Sequence, residues 1–171
     1  GAVGIRKGGS PVQVKGTDLW HVGSCTKAMT ATLIGIFVEQ RKMQWDMTIA
    51  DTLPEMKGTM HESLLSVTLE QLLTHRSGIA AQPDAKLWEE AWTLRGPATE
   101  QRANFVQGVL AKEPEAEPKS KYIYSNQNYS IAGLMLEKVT GQSWENLMRE
   151  RIFRPLGMTM SGFGVPGTIG Q

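Results

Sequence analysis

Ser24 and Lys27 carry the clearest chemistry in this chain, in the stretch Trp20-His21-Val22-Gly23-Ser24-Cys25-Thr26-Lys27. A hydroxyl three residues before an amine shares one helix face with it, about a turn apart. Serine becomes an effective nucleophile when a neighbouring base takes its proton, and a lysine whose charge is disfavoured by burial can be that base. The plain alternative is an N-cap serine followed by a solvated lysine. Two features favour chemistry. Gly23 permits a tight turn into a helix, and a lysine in a first helical turn opposes the helix dipole, so stability alone does not explain it.

A second constellation, Tyr124-Ser125-Asn126, stands before another predicted helix. A phenol beside a lysine can shuttle a proton once the positive charge lowers its pKa. An asparagine amide both donates and accepts, so Asn126 can orient a substrate amide or hold a lysine. Here the alternative is a half-buried aromatic at Tyr124 and a helix N-cap at Asn126.

The elements that must position these groups are mostly helical. Residues 1–6, 12–15 and 19–22 read as three short strands, with the turn Lys7-Gly8-Gly9-Ser10-Pro11 between the first two. A long helix is expected from Ser24 to Gln40, apolar nearly all round and therefore buried. Residues 43–67 read as irregular, with a helical turn at 48–53. Thr68-Leu69-Glu70-Gln71 fits a capping box that opens a helix ending before Ser77-Gly78. Residues 80–97 read as a loop region with one helical turn, bearing Trp88 and Trp92, which would line a cleft or pack as core or lid. Further helices are expected from Thr99, from 128 to 140 and from 143 to 152, with an exposed proline-rich loop over 112–121.

Bulk composition narrows the partners. With 18 basic and 17 acidic residues and a net charge of +1, nothing argues for nucleic acid or an anionic membrane surface. No apolar run reaches bilayer-spanning length. The single cysteine, Cys25, excludes an internal disulfide and is expected as a core thiol. His21, His61 and His75 lack metal-ligand spacing, so neither a structural metal nor a cofactor is expected, and His75 reads as a structural hydrogen-bonding residue. With no initiator Met and no secretory apolar segment in the chain as given, the compartment is open.

Together these stretches resemble the serine β-lactamase and penicillin-binding protein superfamily, in the class C-like branch that includes D-alanyl-D-alanine carboxypeptidases and esterases. The resemblance runs through Ser24–Lys27, Val67–Ile79, Tyr124–Tyr129, Glu137–Gly141 and Ile152–Met158, in family order, across residues 3–164. It implies an α+β fold of β-lactamase/transpeptidase type, here one domain over residues 1–171 with a helix-rich portion and a small, incomplete antiparallel sheet. It further implies Ser24 as the acylated nucleophile, Lys27 as general base shared with Tyr124, and Asn126 as a substrate-binding residue. The substrate would be a small molecule carrying a β-lactam, D-Ala peptide or ester carbonyl.

One family element is missing. A Lys or His followed by a second residue and Gly, on an edge strand, supplies the second oxyanion donor in the family. Lys15-Gly16-Thr17 and Lys57-Gly58-Thr59 have the wrong order, and Lys138-Val139-Thr140-Gly141 has one residue too many. The chain therefore reads as a shortened or C-terminally truncated form. An inactive scaffold serving binding or assembly is the competing reading, and a homo-oligomer is expected to cover the open sheet.

Overall fold

The computed structural model describes residues 1–164. Its helices are α1 (Cys25–Glu39), α2 (Ile49–Thr52), α3 (Leu69–Leu73), α4 (Ala85–Thr93), α5 (Ala98–Leu110), α6 (Asn126–Thr140) and α7 (Trp144–Met148). Single 3₁₀ turns occupy Pro54–Met56 and Glu62–Leu64, and α7 continues into a π-helical turn over Arg149–Phe153. No helix among the described residues is long and apolar enough to cross a membrane.

The buried rod is α6, where α1 was expected. Residues Ile131–Glu137 of α6 are all buried, and the helix packs against α1, α2, α3, α5 and α7. In α1 only Thr30, Leu33, Ile34 and Phe37 are buried; Ala28 and Thr32 are exposed. Leu33 and Ile34 are fully enclosed and contribute about 1.5–3 kcal/mol each by leaving water. Cys25, expected in the core, is exposed.

The uncovered flank of α1 has a direct cause. The expected small sheet is absent among the described residues, where only the isolated antiparallel bridges Ile5–Gln13 and Thr48–Thr68 occur. The N-terminal segment folds back once, with Arg6 N–H donating to Val12 C=O at 2.9 Å and Val14 N–H to Gly4 C=O at 3.0 Å. Residues 19–22 add no third strand. A two-stranded ribbon with no sheet to extend and no apolar face to bury is marginal in water, and Val3, Ile5 and Val12 stay exposed.

The helix around the site behaves as its local chemistry dictates. Thr68 Oγ1 accepts from Gln71 N–H and the Gln71 side chain reaches back to Thr68 N–H, so the capping box forms. The turn after it is fixed by a close approach. Gly78 has φ of 82°, and a Cβ there would meet the Ala116 carbonyl oxygen at 2.0 Å. Glu115 N–H donates to Gly78 C=O and Lys119 N–H to Arg76 C=O, both at 2.9 Å, so the proline-rich loop is fastened to this turn.

Region 80–97 holds a full helix, α4. The Asp84 carboxylate caps it by accepting from the Lys86 and Leu87 N–H groups, and Leu87 lies against Gly108 of α5. Trp88 and Trp92 are exposed and pack edge-to-face on each other at 5.5 Å, outside the core.

Candidate active site

Gly23 has φ of 50° and turns the chain left-handed just before α1. Cys25, Thr26 and Lys27 N–H groups then donate to Val22, Gly23 and Ser24 carbonyls. Ser24 holds the N-cap position, yet its side chain makes no capping bond. Its Oγ instead lies 2.7 Å from Tyr124 Oη and accepts from Lys27 Nζ at 3.1 Å. Ser24 thus occupies the N-cap position without making the capping bond, and Lys27 is bonded to it.

Asn126 likewise does not cap. It is the first residue of α6, and its Oδ1 accepts from Lys27 Nζ at 2.6 Å. Ser24, Lys27, Tyr124 and Asn126 thus form one hydrogen-bonded cluster across residues almost 100 apart in sequence. Lys27 Nζ also sits 4.8 Å from the Tyr124 ring centroid and 5.6 Å from that of Tyr129.

Electrostatics follow from these contacts. The Lys27 ammonium and then the Ser24 hydroxyl hold the Tyr124 phenol below the usual tyrosine range. Burial pushes the Tyr129 phenol above it, with Tyr124 and Tyr122 adding in the same direction. Two tyrosines five residues apart thus differ in which one can exchange a proton readily, and Tyr124 is the one touching Ser24.

Tyr129, Ser77, Ser125 and Asn128 complete the frame together with His75, the expected hydrogen-bonding residue. Tyr129 Oη donates to Leu73 C=O at 3.0 Å, Ser77 Oγ donates to Asn128 Oδ1 at 2.7 Å, and Ser125 N–H donates to His75 Nδ1 at 3.2 Å. The end of α3 is thereby clasped to the start of α6. The sequence signal was the two runs Thr74–Gly78 and Tyr124–Tyr129 themselves, whose polar residues exceed what a turn and a cap require.

A hollow of about 200 Å³ opens beside Lys27 and Asn126, between α1 and α6, lined also by Thr26, Thr30, Ser130 and Trp144. A larger groove of about 560 Å³ lies between residues 16–22 and 153–164 and is lined by Trp20, Val22, Met29, Phe153 and Phe163. Of the four cluster residues, Lys27 and Asn126 line the smaller space.

A family model described as Beta-lactamase matches residues 1–169. The chain belongs to the β-lactamase family. Penicillin-binding protein 4 of Amycolatopsis lactamdurans is 32% identical over 161 residues, covering 94% of this chain and 40% of that protein. A D-stereospecific amidohydrolase from Streptomyces sp. superposes with a TM-score of 0.68 at 30% identity, covering 84% of this chain and 44% of that one. The octameric penicillin-binding protein homologue from Pyrococcus abyssi superposes with a TM-score of 0.69 at 27% identity, over 86% and 33%. This β-lactamase-family chain thus spans less than half the length of each, and it shares with them the helix-rich part of the β-lactamase/transpeptidase fold.

Proposed function

We propose that this chain is a serine hydrolase working through an acyl-enzyme on β-lactams, D-alanyl peptides or esters. The reading is carried by the convergence of Tyr124 Oη and Lys27 Nζ on Ser24 Oγ, at 2.7 and 3.1 Å. Ser24 Oγ attacks the carbonyl carbon and forms the new C–O bond while its proton passes to the Tyr124–Lys27 pair. The carbonyl oxygen becomes an oxyanion held by the Ser24 N–H, a kind of donor whose loss costs about 3–4 kcal/mol of transition-state stabilisation. Collapse breaks the bond to the leaving group, which takes the proton from Tyr124 Oη. Water then attacks the acyl carbon, gives its proton to the same pair and frees Ser24.

Asn126 has a double part in this scheme. Its Oδ1 anchors Lys27, and its amide N–H₂ is left to meet a substrate amide. The names of two relatives, a penicillin-binding protein and an amidohydrolase, are consistent with a β-lactam or amide carbonyl. The alternative is an inactive scaffold for binding or assembly.

Burst kinetics with a chromogenic cephalosporin and a nitrophenyl ester separate the two. Hydrolase chemistry gives a burst of product equal to the enzyme present and none in Ser24→Ala; a scaffold gives neither burst nor turnover in either protein. We also propose self-association through the apolar groove beside α1. Exposed Leu19, Trp20 and Val22 support it, as does the octameric state named for the Pyrococcus homologue.

A further inference from the structure

We propose that His75 is a positioning residue that sets Tyr124 and Asn126 against Lys27, acting as a fixed hydrogen-bond acceptor beneath the Tyr124-Ser125-Asn126 turn. The proposal rests on the hydrolase reading for its kinetic consequences, while its structural content stands apart from turnover.

The backbone of His75 has φ of 58°, a left-handed conformation that non-glycine residues adopt at a cost. That strain is held by bonds on both sides: His75 N–H donates to Leu72 C=O at 3.2 Å, and Ile123 N–H donates to His75 C=O at 2.9 Å. The left-handed turn throws the imidazole under the active-site segment. There its ring lies 4.5 Å from the Tyr124 ring at a 35° tilt, and 5.6 and 5.5 Å from the rings of Tyr122 and Tyr129. Nδ1 accepts from Ser125 N–H at 3.2 Å and faces Asn128 Nδ2 at 3.4 Å.

Both neighbours of Nδ1 are donors, so Nδ1 must be unprotonated and any ring proton must sit on Nε2. The environment agrees. His75 is 7% exposed, and burial followed by the nearby Lys27 charge holds the imidazole below its ordinary range. The titratable groups facing it are Lys27 of α1, Tyr122 and Tyr124 of the segment before α6, and Tyr129 of α6; Arg76 follows it in the chain. None is an anion at neutral pH in its ordinary form, so nothing there stabilises an imidazolium. One buried ring therefore fixes the residue between the two site side chains and supports the plane of the phenol.

The test compares His75→Ala with His75→Asn. Asparagine tolerates the left-handed region, and its side-chain oxygen can occupy the acceptor position of Nδ1. Tyr124 ionisation is followed by ultraviolet difference titration, each protein read against the same background carrying Tyr124→Phe. The expected result is a Tyr124 midpoint below the free tyrosine value in wild type and in His75→Asn, moving up toward about 10 in His75→Ala. With a nitrophenyl ester, kcat should fall about 10²-fold in His75→Ala with KM little changed, and recover in His75→Asn. An unmoved midpoint in folded His75→Ala, or an Asn variant as impaired as the Ala variant, overturns the proposal. Should His75→Ala fail to fold, ¹⁵N imidazole spectra of the wild type decide at neutral pH: an Nε2–H tautomer with bare Nδ1 is expected, and a proton on Nδ1 overturns it. A wild type that shows no turnover defeats the hydrolase reading while leaving titration and spectra to judge His75.

Discussion

At the scale of single residues, the decisive point is what the side chains decline to do. Ser24 and Asn126 both stand at helix starts, where each type ordinarily caps, and both point instead at Lys27. Such a lysine holds a site together more than it holds a fold. Lys27→Ala should slow acylation by about 10²–10⁴-fold, while its thermal midpoint shifts by only a few degrees; equal losses of rate and stability would mark a structural lysine. His75 gives a second expectation, with a definite sign. Its folded pKa lies below the 6.5 of the free group, so the unfolded chain takes up a proton first on acidification. Stability from this group is complete above about pH 6.5 and is lost as pH falls toward the folded value. Denaturant unfolding followed from pH 8 downward should show that decline in wild type and its absence in His75→Asn.

At the scale of elements, α6 is the organiser, and a part-buried ion cluster ties it to its neighbours. Arg102 of α5 bonds Glu137 of α6 and, at 2.6 Å, Glu145 of α7. Glu137 also accepts from Trp144 N–H at 2.8 Å, and each carboxylate keeps one buried oxygen without a partner among the described residues. Two acids thus depend on one guanidinium. Arg102→Leu should cost about 3–5 kcal/mol in chemical unfolding, since removing one partner strands buried charge; adding Glu137→Gln should return part of the loss. Legibility in the sequence followed the range of each interaction. The Thr68–Gln71 capping box was readable because both partners lie within one turn. Helix α4 was not, because Trp88 and Trp92 face solvent and its one firm anchor, Leu87 on Gly108, joins residues far apart in sequence. The four cluster residues were legible as neighbours and His75 as a hydrogen-bonding residue, whereas the left-handed backbone of the His75 turn was not: it is held by Ile123 and Ser125 from the other side of the site. Cys25 failed as a core thiol because α1 lacks cover on that flank.

At the scale of the whole molecule, an apolar face remains open. The groove beside α1 is lined by the exposed side chains of Leu19, Trp20 and Val22. Surfaces of this kind mark association sites. Light scattering at working concentration should give a mass above that of one 18.9 kDa chain, and Trp20→Ser should lower it; a monodisperse monomer would contradict the association. The central claim concerns the cluster at Ser24 and has a more direct test. Intact protein exposed to a labelled penicillin or an activated ester is weighed and its peptides mapped. One acyl group per active chain is expected, located on Ser24 and absent from Ser24→Ala. No adduct with either reagent, or an adduct that persists on another residue in Ser24→Ala, would contradict it.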